Sequence, residues 1–94
     1  MENASGSNVE TLYHLADDRV EALEFVVKDT PQVHSVVNVP LMELKLKSDL
    51  LICCINRGGK IITPGGRDTM QIGDTVIVVT THQGLTDLSD ILKD

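Results

Sequence analysis

Three consecutive segments decide the fold: LLICCIN (50–56), RGGK (57–60) and IIT (61–63). The first is apolar on both faces of an extended chain, which is typical of a strand in the interior of a sheet. Paired glycines accept positive φ angles because they have no Cβ, so Gly58-Gly59 predicts a tight turn. Together the segments predict a β-hairpin with a long first strand and a short second strand.

Two further strands are predicted, one on each side of this hairpin in the chain. Residues 20–27 (VEALEFVV) alternate apolar and polar at first and then become wholly apolar. Residues 75–81 (TVIVVTT) are largely apolar and follow the turn signal Ile72-Gly73-Asp74. The second of these reads as another central strand.

Helical signals are confined to two short stretches. Pro40 is suited to the first position of a helix, and Leu41 and Leu44 would share one face of about one turn, although an extended segment is equally compatible. Near the end, Leu85, Leu88, Ile91 and Leu92 recur on one face of an amphipathic helix that Thr86 can cap. The whole pattern predicts an α+β fold, with a mainly antiparallel sheet of four to five strands and helices on one face.

The N-terminal stretch differs in character from the rest. Residues 1–8 are small and polar, and residues 9–15 are compatible with a short helix or an extended segment. We expect residues 1–19 to be a flexible lead-in that remains from a longer chain, and residues 20–94 to form the domain.

Size and charge exclude several classes of protein. A chain of 94 residues has room for one small domain and not for an enzyme with its own cofactor domain. The formal charge of −6 argues against nucleic-acid binding, which needs a basic surface. No run approaches the roughly 18 apolar residues of a membrane span, so we expect no membrane insertion.

The charges are unevenly distributed along the chain. The segment from Lys45 to Arg67 carries +4, whereas the remainder carries −10. A solvated sheet edge protected by lysines explains such a basic segment. A site for a small anionic ligand or for an acidic partner surface explains it as well.

No arrangement of residues predicts catalysis or metal binding. His14, His34 and His82 are far apart, and no serine lies in a Gly-x-Ser-x-Gly turn. Lys60 follows Gly58-Gly59 but begins a strand, so no helix N-terminus is offered to a phosphate. Cys53 and Cys54 are expected to point to opposite faces of their strand and to be reduced thiols in the cytosol. The sequence therefore predicts a protein that is not an enzyme.

The segment from Pro40 to Thr80 resembles the C-terminal subdomain of RCK-type regulators of potassium conductance, the TrkA-C domain. The matching submotifs are PLxEL (40–44), LIxxIxRGG (51–59), IIxPGG (61–66) and IGDxVIVV (72–79). Within the family, the chain looks most like the last such domain of the peripheral TrkA subunit of Trk potassium uptake systems.

The resemblance implies a regulatory module in the cytosol, peripheral to the inner face of the membrane, which forms a homodimer and acts on a membrane potassium transporter subunit. The resemblance also implies a preceding subdomain that binds a nicotinamide or adenine nucleotide. No Gly-x-Gly-x-x-Gly unit occurs in this chain, so we expect no such cofactor site within it. Similar domains are attached to other cation or anion transporters, and such a host is the alternative.

In some members of the family, cyclic di-AMP binds in the cleft of the dimer. Carried over to this sequence, the binding residues would be Val37, Val39, Lys45, Lys47 and Pro64. Relatives of that kind often have Asp-x-Arg where Lys45-x-Lys47 stands, and lysine lacks the two-pronged contact that arginine makes with phosphate. For the dimer interface we expect exposed apolar side chains at Val36, Val37, Val39 and Leu41.

Overall fold

The fold is a five-stranded sheet in which every pair of neighbouring strands is antiparallel. The computed structural model describes residues 9–15, 20–82 and 84–93. The strands are β1 (Val9–Leu15), β2 (Val20–Val26), β3 (Leu50–Arg57), β4 (Lys60–Ile62) and β5 (Thr75–Thr80), in the spatial order β1-β2-β5-β3-β4. The predicted antiparallel sheet is confirmed, as is the central position of the strand that starts at Thr75.

The turn between β3 and β4 has the predicted form. Arg57 pairs with Lys60, which leaves Gly58 and Gly59 as a two-residue turn with φ angles of +60° and +88°. Positive φ at both positions matches the twist of the flanking strands, and only glycine adopts it without strain. The side-chain oxygen of Asn56 accepts a hydrogen bond from the Gly59 amide at 3.0 Å, which fixes the turn further.

The two faces of the sheet differ in how far they are covered. One face, which we call the core face, has buried side chains on β2, β3 and β5, and it lies under three short 3₁₀ helices and the loops around them. Its central side chains, together with those that cover it, are Leu23, Phe25, Ile52, Ile55, Val76, Val78, Val33, Val36, Met70, Leu88 and Ile91. The opposite face, the open face, has half-buried or exposed side chains, including Ala22, Leu51, Ile77 and Val79.

The predicted interior position of β3 is confirmed, since it lies between β5 and β4, but only one of its faces is buried. Ile52 and Ile55 are buried on the core face, but Leu51 is 62% exposed and Cys53 is also exposed. An unbroken apolar run does not reveal which of its faces will be covered. Here the described covering elements all lie on the core face.

A β-bulge interrupts the pairing of β3 with β5. Ile52 pairs with Val78 and Cys54 pairs with Ile77, so Cys53 is an extra residue without a partner in β5. The extra residue resets the alternation of side chains. Both cysteines therefore lie between the two buried isoleucines and face the open side. The prediction that they point to opposite faces is wrong, because it assumed an unbroken strand.

The C-terminal segment is mostly not helical, in contrast to the expected amphipathic helix. A single turn of 3₁₀ helix, η3, spans Leu88–Ile91. Asp87, not Thr86, caps it: the Asp87 carboxylate accepts from the Ser89 amide at 3.0 Å, and Asp90 accepts from the Asp87 amide at 3.0 Å. Leu85, Leu88 and Ile91 are nonetheless buried, so the periodicity located the core contacts correctly.

Two more 3₁₀ helices lie between β2 and β3. η1 (Pro31–Ser35) begins at a proline, which is pre-organised for the first turn of a helix, and it was missed in the sequence. η2 (Leu41–Glu43) is the predicted single turn, although Pro40 is its N-cap and not its first residue.

Part of the predicted flexible lead-in belongs to the sheet. Within residues 1–19, the segment Val9–Leu15 forms β1 and pairs with β2 from Leu15↔Val20 to Val9↔Phe25. Of the two conformations compatible with its sequence, the extended one is observed. Residues 1–8 and 16–19 lie outside the described part of the chain.

Candidate functional site

A buried carboxylate joins the end of β3 to the start of β5. Arg57 Nε donates to Asp74 Oδ1 at 2.9 Å, and Arg57 Nη2 donates to Asp74 Oδ2 at 2.8 Å. The Asp74 side chain is 2% exposed, whereas that of Arg57 is 44% exposed. These hydrogen bonds raise the pKa of Arg57 above its usual value. The arginine therefore stays charged and presents its outer edge to solvent.

The turn before β5 completes the partners of this carboxylate. Asp74 Oδ2 also accepts from the Gln71 amide at 2.9 Å, and the Asp74 amide donates to the Gln71 carbonyl at 3.0 Å. Gly73 occupies the turn position with φ +95°, which favours glycine. The Arg57 Nη2 group makes one more bond, to the Thr69 carbonyl at 2.9 Å. The Arg-Gly-Gly and Gly-Asp submotifs thus meet in one structural cluster.

The segment from Val37 to Met42, which carries several predicted site residues, lies along the loop that precedes β5. Val37 forms a parallel bridge with Met70, and the Asn38 amide donates to the Met70 carbonyl at 3.0 Å. Farther along, Leu41 and Met42 donate to the carbonyls of Asp68 and Gly66, each at 2.9 Å. This pairing brings the segment next to the Pro64-Gly65-Gly66 turn.

Two of the four predicted interface residues are not exposed. Val36 is fully buried and Val37 is 9% exposed, since both pack into the hydrophobic core of the domain. The expectation of exposed side chains is therefore wrong at these two positions. Val39 and Leu41 are half-buried, and their neighbour Met42 is 67% exposed. Met42 is the apolar side chain of this segment that sequence reasoning missed.

The two lysines predicted to bind a ligand have different roles in the structure. Lys47 Nζ donates to the carbonyl of Asp90 at 2.6 Å and to that of Leu92 at 2.7 Å, at the end of η3. Carbonyl oxygens at a helix end are a natural partner for a lysine ammonium group. Lys45 is exposed, and its carbonyl accepts from the Lys93 amide at 2.7 Å. Of this pair, Lys45 is the one whose side chain is exposed.

The fifth predicted ligand residue, Pro64, is half-buried at the start of a tight turn. Asp68 Oδ2 accepts from the Gly65 amide at 2.6 Å, and the Asp68 amide donates to the Gly65 carbonyl at 3.1 Å. Gly66 lies close to Met42: a Cβ at Gly66 would be 3.0 Å from the Met42 Cβ. The turn is therefore built for close packing on η2.

The basic segment does not form one continuous site. Arg57 is paired with Asp74, and Lys47 is bound to the C-terminal carbonyls. Lys45, Lys60 and Arg67 are exposed, and they lie on the segment after η2, on β4 and in the turn that follows β4, respectively. Counting charges along the sequence thus overstated the positive field available to a single ligand.

Two described histidines contact nearby oxygen atoms. His34 Nε2 lies 2.8 Å from Asp29 Oδ1 on the surface, and His82 Nε2 lies 2.7 Å from the Ser48 carbonyl. His14 lies in β1, where side chains are outside the description. Across the described residues, no group of three or more His, Cys, Asp or Glu side chains could hold a metal ion. In the same part of the chain, none of the helices is long and apolar enough to cross a bilayer.

A shallow groove of about 450 Å³ lies at one end of the sheet. Seven residues line it: Val20, Asp49, Leu50, Leu51, Val79, Thr80 and Thr81. None of them is a predicted site residue. The groove and the predicted site are therefore separate features.

Comparison with known families identifies the fold just described. The model of the TrkA-C domain matches residues 24–93, from the middle of β2 to the C-terminal segment. This chain belongs to the TrkA-C family. The resemblance seen in the four submotifs is therefore confirmed at the level of the family. A comparison with curated protein sequences finds no match.

Solved structures agree with this assignment at the level of the fold. One similar chain is described as "Structure of RCK domain with cda", with a TM-score of 0.51 and 22% sequence identity. The match covers 66% of this chain and 81% of the other chain. The TrkA-C domain of this protein thus shares its architecture with an RCK domain.

Proposed function

We propose that this TrkA-C domain is a regulatory and dimerisation module of a Trk-type potassium uptake system. It would form the C-terminal part of a cytosolic gating subunit, peripheral to the inner face of the membrane, and it would have no enzymatic activity. The observation that carries the proposal is the TrkA-C match over residues 24–93. The same domain attached to another cation or anion transporter is the alternative host.

The mechanism would be a change in the geometry of a homodimer. A nucleotide bound to a neighbouring domain would favour one of two arrangements and so shift the population of the dimer. The segment that follows η1 is suited to an interface, because Val39 and Leu41 are half-buried beside the 67% exposed Met42. An exposed methionine adapts its shape to a partner surface.

Sedimentation of this chain at micromolar concentration tests the dimer. We expect a dimer for the native chain and a monomer for Met42→Lys, because a charge would be buried without a partner. Leu51→Lys is the matched control, since Leu51 is 62% exposed on the open face of the sheet. A native chain that is monomeric contradicts the proposal. If only Leu51→Lys dissociates the dimer, the interface lies on the open face of the sheet and not at Met42.

Potassium uptake tests the regulatory role separately. In cells that depend on the full-length subunit, Met42→Lys should alter the rate of potassium uptake, whereas Leu51→Lys should leave it unchanged. If Met42→Lys alters the uptake of another ion and not that of potassium, the alternative host is favoured.

A second candidate function is a sensor for an anionic nucleotide, for which cyclic di-AMP is the probe. It is favoured by the exposed Lys45 beside the Val37–Met42 segment and by the RCK domain described as a structure "with cda". Calorimetry should give heat with cyclic di-AMP at tens of micromolar, and Lys45→Ala should reduce the affinity. The absence of heat with an intact dimer would reject this function. We expect Lys47→Ala to loosen the C-terminal segment whether or not the ligand binds.

A further inference from the structure

The chain has two cysteines, and the β-bulge places both on the open face of the sheet. Cys53 is exposed and Cys54 is half-buried. Cys54 shares a register position with Ile77 of β5, which is itself half-buried on the same face, whereas Ile52 and Ile55 on either side are buried in the core. Two adjacent thiols therefore project to one side, a geometry that a regular strand does not allow.

The surroundings of Cys54 favour the protonated form of its thiol. Burial raises the pKa of Cys54 above its usual value, and the neighbouring Cys53 and the Glu24 carboxylate raise it further. Reactive cysteines that are oxidised by peroxide generally have a lowered pKa. Cys54 is therefore poorly suited to react with peroxide.

A raised thiol pKa does not prevent the binding of a metal or metalloid, because a coordinating thiol loses its proton to solvent when the metal or metalloid binds. Structural zinc takes four protein ligands. Among the described residues no third metal-ligating side chain joins the two cysteines. A centre that needs two soft sulfur ligands on one side fits the pair better.

We propose that Cys53 and Cys54 form a bidentate dithiol site for a thiophilic centre of low coordination number, of the type represented by trivalent arsenic. The site is open to solvent through Cys53. A depression of about 100 Å³ on the same sheet, lined by Ala22, Leu23, Glu24 and Ile77, leaves room beside it for a group attached to the bound atom. The inference is independent of the function proposed above.

The reaction with an organic arsenic(III) oxide, R–As=O, balances without any redox partner. Two As–S bonds and two O–H bonds form, while two S–H bonds and the As=O double bond break. The two protons leave with the oxygen as one molecule of water. Arsenic remains trivalent and both sulfurs keep their oxidation state.

Phenylarsine oxide is the probe, and intact-mass spectrometry with competition by a monothiol is the measurement. We expect one phenylarsenic group per native chain, retained in excess 2-mercaptoethanol and removed by a small dithiol. In Cys53→Ser and Cys54→Ser the affinity should fall by roughly a hundredfold or more, since the second sulfur no longer binds intramolecularly. Circular dichroism verifies that each variant is folded, and Cys53 is exposed, so its replacement is well tolerated.

A double variant separates the effect of adjacency from the effect of having two thiols. Cys54→Ser/Lys60→Cys keeps two thiols but places the second on β4, opposite Arg57. It should lose the tight adduct as fully as the single variants do. The proposal is overturned if either single variant binds as tightly as the native chain. It is likewise overturned if arsenic bridges two chains, or if no adduct forms although both thiols react with a disulfide reagent.

Discussion

Arg57 and Asp74 are 17 residues apart in the chain and are joined at two points, with Nε–Oδ1 and Nη2–Oδ2 distances of 2.9 and 2.8 Å. The contact ties the hairpin of β3 and β4 to the turn that starts β5. Because Asp74 is almost fully buried and accepts from the Gln71 amide as well, its carboxylate holds both the hairpin and the turn. The cluster has a structural role, which explains the joint presence of the Arg-Gly-Gly and Gly-Asp submotifs.

Replacing Asp74 by alanine should destabilise the domain substantially. The substitution removes the charge-assisted bonds and leaves the Gln71 amide without its acceptor, which should lower the free energy of unfolding by about 2–3 kcal/mol. Urea denaturation followed by circular dichroism measures the change. Arg57→Lys is the control: it keeps the charge and loses the two-point geometry, so its effect should be smaller. Equal stability of Asp74→Ala and the native chain would show that the cluster contributes little.

Lys47→Met should loosen the C-terminal segment. The substitution removes the two bonds from Nζ to the Asp90 and Leu92 carbonyls while it retains most of the apolar stem. We expect a loss of about 1–3 kcal/mol in the free energy of unfolding. Amide hydrogen exchange should also become faster from Leu88 to Lys93.

Lys45→Met is the matched control for Lys47, because Lys45 lies two residues earlier and is exposed. Its replacement should leave exchange in the C-terminal segment near the native rate. If the two variants loosen the segment equally, the contacts of the Lys47 ammonium group are not what holds it.

Gly66→Ala should strain the packing of the loop on η2. The new Cβ would be 3.0 Å from the Cβ of Met42, so either the turn or η2 has to shift, which typically costs about 1–3 kcal/mol. Thermal unfolding measures the difference. At the neighbouring Gly65 a Cβ would have its nearest contact at 3.7 Å, to Asp68 Oδ2, so Gly65→Ala should change stability much less. A reversed order of the two variants would refute the close contact.

The raised pKa of Cys54 predicts a loss of stability in alkali. Because the pKa is higher in the folded state than its ordinary value of 9.0, the unfolded chain loses the proton first as the pH rises. The free energy of unfolding should therefore be unaffected by this group below pH 9 and should fall above it.

Cys54→Ser should remove this contribution, so its stability should decline less steeply than that of the native chain above pH 9. Comparing the two proteins at each pH cancels the contributions of all the groups that they share. Cys53→Ser should have an intermediate slope, since Cys53 is only the second cause of the shift after burial. Parallel curves for all three proteins would contradict the prediction.

The sheet could be predicted from the sequence because its signals are local. Alternation in residues 20–27 indicates a strand with one buried face, and the paired glycines permit the positive φ angles of the hairpin turn. The bulge at Cys53 could not be predicted, since an unbroken apolar run contains no alternation whose interruption would be visible. In residues 85–92, periodicity identified the buried positions, whereas the Asp87–Asp90 capping box and the bridge of Leu92 to Leu46 kept all but one turn from becoming helical.

The candidate site was harder to predict than the fold. Lys47 binds backbone carbonyl oxygens. Because every residue has one, the sequence does not indicate which of them a lysine will contact. The burial of Val36 and Val37 depends on Met70, more than thirty residues away, with which Val37 forms its bridge. Charge and hydrophobicity indicated the correct region, but contacts between distant segments determined which side chains remain exposed.

The spatial order of the strands has a consequence for how the domain is made. β5 lies between β2 and β3, yet it is synthesised after both of them. Until residue 80 has left the ribosome, the two hairpins β1–β2 and β3–β4 have no strand to join them, and both expose apolar surface. Non-local pairing of this kind slows folding. A chain that ends before β5 should therefore be captured by chaperones or degraded, since its two hairpins lack the strand that joins them into one sheet.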